Sequence, residues 1–284
     1  MKYTERAITF GCAQDTLVGI VAVPMATATT AVVVVVGGPQ YRAGSHRQFV
    51  YLSRELAAAG YPVLRFDYRG MGDSSGDKRD FLQATADIGA AIDALQRELP
   101  TVQRLVLWGL CDGASAALLY CHNTGDPRIS GLCLLNPWVR SEASLARAHV
   151  KHYYADRLRQ KEFWRKLISG NLATSALVGL LKNVRMMSTQ VAPDMTQDTS
   201  FQGQMLAAWQ RFRGPILLVL SGEDYTAKEF SEFAAADAAW QKALTGSNVT
   251  RQEVSDADHT FAQATARQHV AELTRTWLGA GQAQ

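Results

Sequence analysis

Arg104-Leu105-Val106-Leu107-Trp108-Gly109-Leu110-Cys111-Asp112-Gly113-Ala114-Ser115 decides the fold. An apolar run of strand length climbs to Gly109, Cys111 stands at its top, and Gly113 with small residues opens a helix. The spacing is that of a nucleophile elbow, Gly-x-nucleophile-x-Gly, in which a tight strand-to-helix turn pushes the central side chain out of the sheet. The positions two before and two after the nucleophile are crowded in such a turn, and Gly109 and Gly113 relieve that crowding. The same pentapeptide also suits a buried structural cysteine in an ordinary strand-turn-helix. The rest of the chain has to separate the two.

Upstream, the five valines Val32–Val36 suit a central strand buried on both faces and run into Gly37-Gly38-Pro39-Gln40. Ala7–Cys12 and Leu17–Val23 read as a strand hairpin, and Pro62–Phe66 as the strand before the glycine-rich loop Asp67–Ser74. Helical periodicity covers Ser45–Ala59, Phe81–Leu99 and Asp112–Cys121. Downstream, Ile129–Leu135, Pro215–Leu220 and Val249–Val254 are strands, while Ala227–Leu244 and Thr260–Leu278 are helices. Between Val139 and Phe212 the strand signal disappears and amphipathic helical segments take over.

Strands alternating with helices predict an α/β fold with a mostly parallel central sheet flanked by helices. Residues 1–138 and 213–284 would form its core, and 139–212 an inserted helical cap at the carboxyl edge, where open α/β sheets bind ligands.

The 284 residues, 47% hydrophobic and 19% charged, are those of a globular protein, and a net charge of +3 does not argue for nucleic acid. Cys12, Cys111, Cys121 and Cys133 have neither metal-ligand spacing nor the density of a disulfide scaffold, so reduced thiols in the cytoplasm are expected. No signal-peptide core and no membrane-length apolar run is present, and no metal or cofactor is implied. The sequence leaves the oligomeric state open.

A thiol nucleophile needs a base and an orienting acid, expected on loops after later strands in the order nucleophile, acid, base. Ser221-Gly222-Glu223-Asp224-Tyr225 supplies the acid and Ser255-Asp256-Ala257-Asp258-His259 the base, giving the triad Cys111, His259 and Asp224, with Glu223 as the alternative acid. Each carboxylate could equally cap the helix that follows, and Asp256 and Asp258 read as solvated or capping. The backbone N–H of Asp112 would be one oxyanion donor and that of Gly38 the second, with Gln40 the next choice and Pro39 excluded for lack of an N–H. An Asp112 carboxylate beside a thiolate must point away or meet a cation, for which Arg42, Arg47 and Arg69 are all open. The 139–212 segment runs basic, from Arg140 to Arg185 against few acids such as Glu142, Asp156 and Glu162. Solvated helix faces explain this, as would docking of an anionic CoA- or carrier-linked substrate.

Together, Gly109–Gly113, Gly37–Gln40, Asp67–Ser74, Asp224 and His259 resemble the α/β-hydrolase superfamily across nearly the whole chain. More narrowly, Gly37–Phe49 followed by Leu64–Ser74 is similar to the exosortase A system-associated hydrolases of bacteria. That resemblance implies a setting in exopolysaccharide production and protein sorting. Cys111 departs from the serine commonest in the superfamily. The expected chemistry is cleavage of an acyl ester or thioester through an acyl-cysteine, with acyl transfer to a sugar or amine as the alternative. A non-catalytic binding protein on the same fold is the rival. Chemistries that use a carboxylate nucleophile fit less well, because Asp112 stands one residue beyond the apex.

Overall fold

The computed structural model describes residues 2–26, 29–38, 40–140 and 200–280. Met1–Val139 and Phe201–Gln284 cluster as one compact unit. Arg140–Ser200 is a separate unit, and all of it except Arg140 and Ser200 lies outside the described residues, together with most of the expected cap and its basic run.

Eight strands form one sheet: β1 (Tyr3–Cys12), β2 (Asp15–Pro24), β3 (Thr30–Val35), β4 (Val63–Phe66), β5 (Arg104–Leu110), β6 (Ile129–Leu135), β7 (Ile216–Ser221) and β8 (Val249–Val254). Their order across the sheet is β1-β2-β4-β3-β5-β6-β7-β8. β1 pairs antiparallel with β2, and β2 antiparallel with β4. Every later pairing, from β4–β3 to β7–β8, is parallel. This is the doubly wound arrangement expected from the alternation of strands and helices.

The valine run explains why β3 is central. Val33 and Val35 enter the core layer on one face with Leu64, Leu107, Ile88, Ile92 and Leu118. Val32 and Val34 enter the layer on the other face with Phe49, Leu52, Leu56, Trp108 and Val270. A strand buried on both sides cannot alternate with polar residues. The helices α1 (Gln48–Ala58), α2 (Thr85–Glu98), α3 (Asp112–Thr124), α4 (Phe201–Arg211), α5 (Tyr225–Ala235), α6 (Ala238–Leu244) and α7 (Ala264–Ala280) cover the two faces. α1 and α7 supply one layer, and α2 to α6 the other. In the second layer Trp240 of α6 is fully buried and meets Trp209 and Phe230 edge-on at centroid distances of 5.7 and 5.6 Å. Phe201–Arg211, which fell inside the expected cap, packs on α3 through Met205, Ala208 and Trp209 within the sheet-bearing unit. Among the described residues no helix is long and apolar enough to cross a membrane.

Several helix boundaries differ from the periodicity reading for local reasons; the helix expected from Phe81, for one, starts at Thr85 after a short 3-10 turn over Phe81–Gln83 that Asp80 caps. The helix expected from Ser45 starts at Gln48, because His46 and Arg47 hold left-handed backbone at φ 52° and 59°. The helix expected over Ala227–Leu244 is two, because Asp237 caps a new helix, accepting from the N–H groups of Ala239 (2.7 Å) and Trp240 (3.1 Å). The last helix starts at Ala264 rather than Thr260. Asp258 accepts from the N–H groups of Thr260 and Ala262, each at 3.0 Å, and Phe261 takes φ 51°. Hydrophobic spacing does not register such polar interruptions.

Two buried ion pairs fix the loops near the carboxyl edge. Asp67, at the end of β4, accepts from the backbone N–H of Arg42 (2.6 Å) and of Asp73 (3.1 Å), and its carboxylate also pairs with the Arg42 guanidinium. Arg69 meets the fully buried Asp87 of α2 through its backbone N–H and its guanidinium, each at 2.8 Å.

Candidate active site

Because β3, β5, β6, β7 and β8 run parallel, the loops at their carboxyl ends share one edge of the sheet. Cys111 follows β5 with φ 61° and ψ −127°, a backbone conformation that L-residues adopt only under constraint. The constraint is visible. The Cys111 N–H donates to the Leu135 carbonyl at the end of β6 (2.9 Å), and its own carbonyl accepts from Ala114 (3.0 Å) and Trp138 (3.3 Å). Ser115 Oγ closes the turn by donating to the Trp138 carbonyl at 2.7 Å. A Cβ at Gly109 would lie 2.5 Å from the Gly113 carbonyl oxygen, and one at Gly113 would run into the Val35 carbonyl. Both glycines are therefore required by backbone crowding, as their spacing predicted.

The loops after β7 and β8 are stitched together. Gly222 N–H donates to the Val254 carbonyl and Glu223 N–H to the Ala257 carbonyl, both at 3.0 Å. This register turns Asp224 inward and leaves Glu223 exposed. His259 Nδ1–H then donates to Asp224 Oδ2 at 2.8 Å, and the Cys111 thiol is near enough to act on the charge of the imidazole. Of the two carboxylates open in the sequence, Asp224 is the one that reaches the imidazole. It caps α5 at the same time, accepting from Thr226 and Ala227 N–H at 3.1 and 3.2 Å. The structural role and the orienting role thus fall on one side chain.

The electrostatics follow from these contacts. The hydrogen bond to Asp224, then the interaction with Cys111, raise the His259 pKa from 6.5 to about 10 against the opposing effect of burial. Burial pushes the Asp224 carboxyl up, but the His259 contact and the two cap hydrogen bonds together hold it below its ordinary value. The other three cysteines are inert by comparison: desolvation raises Cys12 and Cys133 and pushes Cys121 to about 12.

Of the two N–H groups expected as oxyanion donors, that of Gly38 meets the Asp112 carboxylate. Gly38 has φ 60° and its N–H donates at 2.5 Å to Oδ1 of the Asp112 side chain. Among the described residues, none of the three candidates Arg42, Arg47 and Arg69 partners Asp112. Arg42 is engaged with Asp67 and Asp73, Arg69 with Asp87, and Arg47 lies over the Tyr51 ring. The N–H of Gln40, the second choice, closes a turn onto the Gly37 carbonyl at 3.3 Å.

Sequence reasoning missed Asn136. It is fully buried at the end of β6 with φ 44°, donates from Nδ2 to Ser221 Oγ (2.8 Å) and accepts from Ser221 N–H at Oδ1 (2.9 Å). Its amide also reaches the His259 carbonyl at 3.5 Å. Asn136 thereby joins the ends of β6 and β7 to the histidine loop, and only its place before Pro137 hinted at a turn. Asn136→Ala removes these bonds and leaves Ser221 buried without a partner for its N–H, so about 2–3 kcal/mol of stability should be lost in urea titrations.

Comparisons with known proteins match this picture. A family model described as the alpha/beta hydrolase family matches residues 32–273. An uncharacterized protein of Rickettsia prowazekii is 33% identical over 104 residues, which are 36% of this chain and 43% of that protein, so the match spans less than half of the curated relative. Among solved structures, the esterase Pf2001 of Pyrococcus furiosus superposes with a TM-score of 0.63 at 17% identity, covering 98% of this chain and 93% of that one. Dienelactone hydrolase from Anabaena variabilis gives 0.63 at 14% identity, covering 99% of each chain. Est1E of Butyrivibrio proteoclasticus, solved with ferulic acid bound, gives 0.63 at 14% identity over 98% of this chain and 100% of that one. At these identities the superpositions speak for the fold.

Proposed function

The chain belongs to the alpha/beta hydrolase family, and from that premise we propose that it cleaves an acyl ester or thioester through a covalent acyl-cysteine at Cys111. One observation carries the reading: at the carboxyl edge of the sheet Asp224 holds the His259 imidazole at 2.8 Å, and that imidazole in turn interacts with the Cys111 thiol. A structural cysteine would have no use for a strained apex and a carboxylate-backed imidazole.

In acylation the Cys111 sulfur attacks the carbonyl carbon, a C–S bond forms, and the carbonyl electrons move to oxygen. Collapse of this tetrahedral species expels the alcohol or thiol, which takes its proton from the other ring nitrogen of His259. In deacylation that nitrogen withdraws a proton from water. The hydroxide adds to the thioester carbon, the C–S bond breaks, and the proton returns to the Cys111–His259 pair. Asp224 keeps the imidazole in the tautomer that presents this nitrogen to sulfur and stabilises its positive charge. Water is the acceptor favoured here. The alternative acceptor is a sugar hydroxyl or amine, because an acyl-thioester passes its acyl group to either, and the resemblance of Gly37–Phe49 and Leu64–Ser74 to exosortase-associated hydrolases supports a setting in polysaccharide metabolism. The four unpaired cysteines support a reducing, cytoplasmic location.

Intact-mass spectrometry after brief exposure to p-nitrophenyl esters and acyl-CoAs tests the proposal. Wild type should gain one acyl group and Cys111→Ala none. Adduct decay in water that quickens when an alcohol or sugar is added would make the protein a transferase. Absence of any Cys111-dependent adduct would return it to the binding-protein reading.

A further inference from the structure

The Asp112 carboxylate occupies the position that a reaction oxyanion has to take. It accepts from the Gly38 N–H at 2.5 Å, one of the donor pair on which the acyl-transfer reading relies. The seat is built for it. Gly37 has no side chain where a Cβ would fall on Asp112 Oδ1, and Gly38 turns its N–H inward only by taking φ 60°. Burial raises the Asp112 carboxyl above its ordinary value, while the Gly38 N–H and the charge of His259 favour its ionised form. A solvated surface aspartate would need none of this.

Resting on the reading of Cys111 as the nucleophile, we propose that Asp112 is a latch on the oxyanion hole and selects against small substrates. A neutral ester carbonyl is a weaker acceptor than a carboxylate and does not displace it from the Gly38 N–H by itself. The latch opens when a substrate makes enough contacts elsewhere to offset the displacement, so remote binding energy is converted into acylation rate. Small esters, which make few contacts, meet a hole already filled. The residue acts by vacating the site, and its removal accelerates the reaction of the poorest substrates most. A structural aspartate at a helix start would do the opposite, since losing it would only weaken the elbow.

The test compares Cys111 acylation by p-nitrophenyl acetate with Cys111 alkylation by iodoacetamide in wild type, Asp112→Ala and Asp112→Asn. Alkylation is a displacement at saturated carbon and needs no oxyanion hole, so it reports thiolate reactivity alone. Acylation in Asp112→Ala should rise tenfold or more while alkylation changes less than about twofold, against the 100- to 1000-fold that loss of a full oxyanion donor costs other enzymes. Asp112→Asn, of the same shape but neutral and a weaker acceptor, should show a smaller rise of the same sign, and decides the matter if the alanine variant does not fold. Unchanged or slower acylation in the variants, with wild type still acylated at Cys111, overturns the latch and leaves the nucleophile standing. An equal rise in both reactions also overturns it, since the effect would then lie in the thiol. If iodoacetamide labels Cys111 but no ester acylates it in any of the three proteins, the nucleophile reading fails and the latch falls with it.

Discussion

His259→Ala should lower kcat/KM for a medium-chain p-nitrophenyl ester by roughly ten-thousand-fold, and Cys111→Ala by a comparable factor. The double variant should be no slower than the worse single one. Sulfur without the imidazole has no proton acceptor, and the imidazole without sulfur has nothing to activate, so the second deletion removes an effect that is already gone. Additive losses in the double variant would show that the two side chains act independently and would break the triad reading. Asp224→Asn should cost less, because it disturbs the tautomer and orientation of His259 while leaving sulfur and imidazole in place.

The pH dependence of the same residues has a definite sign. His259 keeps its proton to about pH 10, so kcat/KM should fall on the alkaline side there, as the acid that protonates the leaving group is lost. The folded value lies above the ordinary 6.5, so the imidazolium adds stability that is complete below pH 6.5 and gone above about pH 10. Asp224 is held below its ordinary value, and its contribution is lost at the acid end, as pH falls through its folded pKa. Denaturant titrations at fixed pH should therefore show the stability gap between wild type and His259→Gln narrowing as pH rises from 6.5 to 10.

What could be read beforehand was whatever backbone geometry imposes on residue choice. The valines of β3, the glycines flanking Cys111 and the positions of Asp224 and His259 after their strands are each dictated by one element and its own turn, so spacing alone reveals them. Two kinds of feature stayed hidden. Left-handed residues such as His46 and Phe261 sit in polar local turns and carry no glycine to announce them. Partners joined across the fold, such as Asn136 with Ser221 at 2.8 Å and Asp112 with Gly38 at 2.5 Å, depend on the order in which strands are laid side by side. In the sequence Asp112 posed a question of charge, answerable by any of three arginines. In the structure the Gly38 N–H, and none of the three, meets that carboxylate.

Gly113→Ala should be a strongly damaging methyl addition at the elbow. Its Cβ would strike the Val35 carbonyl oxygen and lie 3.0 Å from the Val36 carbonyl carbon and 3.1 Å from the Gly37 nitrogen. All three are backbone atoms at the end of a central strand and cannot turn aside as a side chain would. Relief requires α3 to move off the sheet, which pulls Cys111 and the Asp112 N–H away from the Gly38 loop. We expect a loss of about 3 kcal/mol or more, seen as a shift of about 1 M in the urea midpoint, with activity falling further than stability. Gly125→Ala provides the contrast. Gly125 ends α3 at φ 57° with nothing within 4 Å of a Cβ, so alanine there meets only the left-handed backbone penalty of about 1 kcal/mol. If the two substitutions cost the same, the tight approach of α3 to β3 would not be what fixes the elbow, and Gly113 would be a residue of conformational convenience.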